Sequence, residues 1–182
     1  FRQSEKEFFA LLKEFIEPEN LNLELYQTEM QNLELYGYGI KSFVLSMVET
    51  ALKVSQNKAE PYIISRIIDI GKEQLNRPVE LLEGVNDVLP ALKERFRLVL
   101  ATKGDLLDQE RKLKKSGLLP YFHHIEIMSD KQESDYLKLI KHLDVEPEEF
   151  LMVGNSLKSD VIPVLSLGSE AVHIPFHTTW HH

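Results

Sequence analysis

From Ser4 to about Arg77 the apolar side chains return every three or four positions, the spacing of one helical face, and turn residues cut the stretch into four segments. The first opens with Ser4 and Glu7 at capping-box spacing, turns Phe8, Leu12, Phe15 and Ile16 inward, and is expected to stop before Pro18. The second runs from about Leu21 to Tyr36 and ends at Gly37, which suffices as a helix C-cap. The third carries Ile40, Phe43, Val44, Met47, Val48, Ala51 and Leu52 on one unbroken stripe. The fourth begins near Pro61, suited to an early helical position, and continues through Ile63, Ile64, Ile67 and Ile68 toward Leu75. After Arg77-Pro78 short apolar runs alternate with helical stretches, as a parallel α/β layer requires. Strands are predicted over Arg97 to Ala101, His124 to Met128, Phe150 to Val153 and Ala171 to Ile174. Helices are predicted near Asp87 to Arg95, Leu106 to Ser116, Ser134 to Leu143 and Asp160 to Leu167. The pattern thus predicts an all-helical domain over residues 1–78 and an α/β core with a parallel sheet over residues 79–182, with the boundary near residues 77–84.

Open parallel sheets bind ligands beyond the carboxyl ends of their strands, so the residues just after each strand carry the candidate chemistry. The first strand leads into Thr102-Lys103-Gly104-Asp105, the second into Ser129-Asp130-Lys131, and the third into Gly154-Asn155-Ser156-Leu157-Lys158-Ser159-Asp160. The fourth leads only into Pro175-Phe176-His177-Thr178. A hydroxyl, an ammonium and paired oxygen donors at one sheet edge suit a phosphoryl group beside a hard divalent cation. Thr102 and Lys131, with Lys103 as a further candidate, would neutralise charge on phosphoryl oxygens. Magnesium keeps several waters and takes few protein oxygens, for which Asn155 and Asp160 are the candidates. Each position also has a plainer reading. Asp105 could simply cap the next helix with Asp108 at its third position, and Asp160 could be a first-turn acid behind a Ser159 cap.

Composition narrows the partners. With 21 Lys and Arg against 29 Asp and Glu, a formal charge of -8 opposes binding to nucleic acid or anionic lipid. No apolar run is long enough to span a bilayer. Cys is absent, which excludes disulfides and thiolate metal sites and suits a reducing compartment, so a cytoplasmic location is expected. Tyr36-Gly37-Tyr38-Gly39 is no dinucleotide fingerprint, because Ser42 stands at the third glycine's position and no strand precedes it. His123-His124, His173 and His177 lack metal-ligand spacing, and His181-His182 resemble the remnant of a purification tag.

The order of these strand-end groups resembles motifs two, three and four of the haloacid dehalogenase superfamily. Thr102 matches the motif-two hydroxyl that binds the phosphoryl group, and Lys131 matches the motif-three lysine that holds nucleophile and phosphate together. Gly154 to Asp160 is similar to motif four, Gly-Asp-x-x-x-x-Asp, whose acids anchor magnesium. Leu82-Glu83-Gly84-Val85 resembles the re-entry into the core after a helical cap. The resemblance implies a Rossmann-like core with an all-helical cap of the C1 type, which would close over the site. It implies a magnesium-dependent phosphohydrolase acting on a small phosphorylated metabolite through an aspartyl-phosphate.

Two departures stand out. Asn155 replaces the first motif-four aspartate, keeping an oxygen ligand but removing a charge. Motif one, an apolar strand ending Asp-x-Asp-x-Thr whose first aspartate is the nucleophile, occurs nowhere in the sequence. Family order puts that strand mid-sheet, between the strands ending at Thr102 and Val153, and unpaired buried backbone groups cost on the order of 1 to 3 kcal/mol each. Residues before Phe1, or another segment, are therefore expected to fill the slot. The alternatives are a noncatalytic module binding a phosphorylated ligand or a protein, and a dehalogenase or phosphomutase of the same superfamily.

Overall fold

In the computed structural model, which describes residues 2–176, the chain runs through eight α-helices and four short strands among the described residues. Its contacts gather into two units, residues 2–98 with 104–123 and residues 99–103 with 124–176. No helix among the described residues is long and apolar enough to cross a membrane. His177, Thr178, His181 and His182 lie outside the described residues.

The first unit is helical. Its helices α1 (Arg2–Leu12), α2 (Pro18–Tyr36), α3 (Ile40–Val54) and α4 (Pro61–Asn76) follow the four predicted stripes, with two differences at their starts. Because α1 already begins at Arg2, Ser4 lies within its first turn instead of capping it. The Ser4 hydroxyl bonds to Gln74, and Glu7 pairs with Arg66 at 2.8 Å. Tertiary partners have taken both members of the expected capping box. Pro18 opens α2 three residues before the predicted start, since its fixed φ and missing N–H suit a first helical position. The stripes meet in a core of Phe8, Leu12, Leu21, Leu25, Met47 and Ile67. Phe15, expected inward, is 38% exposed in the turn after α1. Helices α3 and α4 approach so closely at Gly71 that a β-carbon there would overlap Val44 Cγ2.

The same unit holds α5 (Val85–Lys93) and α6 (Leu106–Ser116). Gly84 enters α5 with φ at 81°, a left-handed value that favours glycine. Asp105 caps α6, accepting from the Asp108 N–H at 3.1 Å. Lys41, 2.8 Å away, is the main cause that holds the Asp105 carboxyl below the usual range against the opposing effect of burial.

The second unit is the α/β part. It contains β1 (Val99–Lys103), β2 (His124–Met128), α7 (Glu133–Leu143), β3 (Leu151–Gly154), α8 (Ile162–Leu165) and β4 (Glu170–His173). Strand β1 pairs in parallel with β2, from Val99 opposite His124 to Lys103 opposite Met128. Strand β3 pairs in parallel with β4, from Leu151 opposite Glu170 to Gly154 opposite His173. Met128, Tyr136, Leu139, Met152 and Val164 form the core of this unit, with Val99, Ala101 and Phe150 packed against it. The two ladders do not join: among the described residues neither β1 nor β3 has a strand on its other edge. Leu151 and Val153 of β3 are correspondingly about half exposed.

Two elements and one cap differ most from their prediction. β1 lies two residues further along than the apolar run suggested, so Thr102 and Lys103 end the strand instead of following it. The helix predicted over Asp160 to Leu167 is a wide turn, Leu157–Val161, continued by the short α8. Ser156, not Ser159, caps that turn, its hydroxyl accepting from the Ser159 N–H at 3.1 Å.

Candidate functional site at the strand ends

The geometry starts from the loop after β2. Asp130 accepts from the Lys131 N–H at 2.8 Å and from the Gln132 side chain at 2.9 Å. Gln132 in turn caps α7 through a reciprocal capping box with Asp135. This arrangement fixes the backbone from which Lys131 reaches. Its ammonium donates to Asp160 Oδ1 at 2.7 Å, and the two side chains are only 10% and 7% exposed. A charge-assisted contact of that length in so dry a place is strongly directed.

Asp160 is held from the other side as well. Its Oδ2 accepts from the Ser156 N–H at 3.0 Å, so the turn that carries the carboxylate also orients it. Gly154, the last residue of β3, lies so close to the Asp160 side chain that any β-carbon would overlap it. Only glycine lets the strand end meet the acid. The Tyr136 hydroxyl donates to the Ser159 carbonyl at 2.9 Å and braces the same turn from α7. Burial first, and then the nearby Asp160 charge, push the Tyr136 phenol well above its usual range, so it remains a neutral donor.

Lys103 enters from the end of β1, with its ammonium 3.4 Å from Ser159 Oγ and 3.5 Å from Asp130 Oδ1. Burial opposes ionisation of Asp130, but Gln132, the Lys131 N–H and Lys103 together hold its carboxyl below the usual range. Thr102 precedes Lys103 on β1, in register with Ile127. Asn155 begins the loop after β3, is exposed, and offers its backbone carbonyl to His173 Nε2 at 3.1 Å.

The structure therefore joins Lys131 to Asp160 directly and brings Lys103 to the same turn through Ser159. Thr102 lies at the strand end beside Lys103, and Asn155 at the mouth of the loop that Asp160 closes. Sequence reasoning missed Asp130, Tyr136 and Ser159 as parts of the site. Asp130 left a trace, an acid beside a lysine just ahead of a helix start. Tyr136 and Ser159 left none, because a core aromatic and a loop serine are ordinary in sequence.

Asp160 and Asn155 bear on a cation. Asp160 brings a carboxylate to the turn, held by Lys131 and the Ser156 N–H, and the exposed Asn155 adds an amide in the same loop. These donors fit a magnesium ion as a partial ligand set, the rest being water and substrate oxygen. No group of three or more His, Cys, Asp or Glu among the described residues forms a closed protein site.

Known proteins bear on the arrangement. The family described as haloacid dehalogenase-like hydrolase matches residues 4–168. A solved haloacid dehalogenase-like family hydrolase from Xanthomonas campestris is 38% identical, covering 96% of this chain and 73% of that one with a TM-score of 0.90. The pyrimidine 5'-nucleotidase PynA of Streptococcus pneumoniae is 31% identical over 111 residues, 54% of this chain and 47% of that protein. The N-acylneuraminate-9-phosphatase of Homo sapiens is 29% identical over 96 residues, 50% of this chain and 39% of that protein. The chain thus matches less than half the length of these two curated relatives.

Proposed function

The chain belongs to the haloacid dehalogenase-like hydrolases, and from that premise we propose that its strand-end site serves a magnesium-dependent phosphohydrolase acting on a small phosphorylated metabolite. The observation that carries this reading is the buried Lys131–Asp160 pair at 2.7 Å, a fixed cation at the carboxyl ends of parallel strands. A transferring phosphoryl group spreads charge over its equatorial oxygens, and a preorganised ammonium stabilises that charge without reorganising. In this reading Asp160 orients Lys131, Lys131 grips phosphate and nucleophile together, and the Thr102 hydroxyl donates to another phosphoryl oxygen. Lys103 steadies the Ser159 turn and adds positive charge. Asn155 and Asp160 would hold magnesium, which supplies neutralisation of phosphoryl charge when bound.

The nucleophile is an aspartate on a strand that this sequence does not contain, placed between β1 and β3, whose facing edges have no strand partner among the described residues. That carboxylate attacks phosphorus, the ester oxygen leaves, and water hydrolyses the aspartyl-phosphate. The names of the two curated relatives, a phosphatase and a nucleotidase, support a phosphate monoester as the bond cleaved.

The test is release of phosphate from a generic aryl phosphate, with and without magnesium, by protein that carries the additional strand. Turnover should require magnesium, and Thr102→Val should lower kcat/KM by about a hundredfold, the usual effect of removing one preorganised donor. Absence of magnesium-dependent release across several phosphorylated substrates would overturn the proposal in favour of a noncatalytic module. Turnover of a haloacid without magnesium would make the protein a dehalogenase.

A further inference from the structure

A second cluster of charge lies within the helical unit, on side chains that have no part in the strand-end site. Between the C-terminal end of α4, the linker after it and α6 is a cavity of about 320 Å³, within the range of small-ligand sites. Arg77, Arg111, Lys112 and Lys115 line it, against Asp108 as the one acid of the lining. In a chain of formal charge -8, four cations around one hollow run against the overall balance. Arg111 and Lys115 stand four residues apart on α6, where like charges repel across one helical turn. An anion seated between them reverses the sign of that interaction.

Other features describe the ligand. Ile40, Leu75 and Val79 supply an apolar wall, so the hollow suits an organic body as well as an anion. Lys115 donates to the Leu75 carbonyl at 3.0 Å, which ties α6 to the end of α4 and defines one rim. Asp108 is 3% exposed, and Lys112 lies 2.9 Å from its Oδ2 as an ion pair without hydrogen-bond alignment. Asp108 is thus the one carboxylate of the lining, with acceptor capacity beyond that ion pair that a ligand hydroxyl would use. Asp105 and Glu73 also lie within electrostatic range of Arg111 and Arg77 respectively, but they are engaged by Lys41 and Arg66.

We propose that this cavity binds a small hydroxylated organic phosphate, with the Arg77 and Arg111 guanidinium groups on the phosphate and Asp108 accepting from a hydroxyl. Guanidinium forks match the oxygens of a phosphate better than ammonium groups do. The site is independent of the strand-end chemistry, since none of its residues belongs there.

Calorimetric titration with glycerol phosphate, together with amide NMR of the same 182-residue protein, tests the proposal. Shifts should cluster at residues 77–79 and 108–115, and Arg77→Ala and Arg111→Ala should each weaken binding about tenfold or more. Arg111→Lys should weaken it less, and Lys58→Ala, at an exposed lysine outside the cavity lining, should leave it unchanged. Circular dichroism checks that each variant is folded, and Arg111 is exposed, so its truncation spares the core. The proposal is overturned if glycerol phosphate does not bind, if shifts appear only at residues of the strand-end site, or if Arg111→Ala binds as tightly as the unaltered protein. Citrate binding as tightly as glycerol phosphate would also overturn it, because the cavity would then read charge alone.

Discussion

Lys131 and Asp160 bring opposite charges into a place that leaves each side chain a tenth exposed or less, and such a pair is unforgiving when halved. Removing one partner leaves the other buried and uncompensated, at a cost of about 3 kcal/mol, whereas replacing both by apolar groups is far cheaper. Asp160→Asn should therefore lower stability in urea by about that amount at neutral pH. The double variant Lys131→Met with Asp160→Leu should regain most of the loss. Additive losses in the double variant would show that the two side chains act separately. Glu29 offers a contrasting case on α2. Burial, and then the charge of Glu5, raise its carboxyl from the usual 4.5 to about 7. A raised folded-state value means that Glu29 favours the fold when protonated, and that this contribution is lost as pH rises from about 4.5 through about 7. Glu29→Gln should thus raise Tm at about pH 8 and leave it nearly unchanged at about pH 4. An equal rise at both pH values would mean that burial, not charge, governs the position.

At the scale of elements, the close approach of α3 and α4 depends on Gly71. Its missing side chain leaves the space that Val44 occupies, and Val44 is β-branched and stiff at χ1. Gly71→Ala should destabilise by about 1 to 3 kcal/mol through overpacking, despite alanine's better helix propensity. Combining it with Val44→Ala should recover part of that loss, a coupling readable by a double-mutant cycle in urea. If Gly71→Ala stabilises, the helices are free to move apart. The turn after β3 obeys the same geometry, since Gly154 makes room for the Asp160 carboxylate. A periodic stripe shows that a helix buries one face, but it does not show which residue of the neighbouring helix that face meets. For this reason α1 to α4 were legible in outline while Ser4, read as a cap, proved to be a partner of Gln74.

For the molecule as a whole, the edges of β1 and β3 that have no strand beside them among the described residues matter most. The half-exposed Leu151 and Val153, beside an edge with no strand neighbour among the described residues, make β3 a template for another strand. An N-terminal extension containing an apolar strand that ends in Asp-x-Asp should raise Tm by several degrees and slow amide exchange in β1 and β3 together. An extension that leaves both unchanged would remove the strand from the slot and the nucleophile from the proposed mechanism. Local patterning along the chain determined a great deal here. It yielded four helices followed by alternating strands and helices, and it marked Thr102, Lys103, Lys131, Asn155 and Asp160 as groups at strand ends or in the loops after them. Those properties repeat over a few residues, so neighbours in sequence suffice to reveal them. Only the tertiary structure decided that Lys131 bonds to Asp160, 29 residues further on, that Tyr136 braces Ser159, and that Glu29 is half-buried near Glu5. Each of these depends on which turns of separate elements meet in space, and no periodicity within one element encodes that meeting.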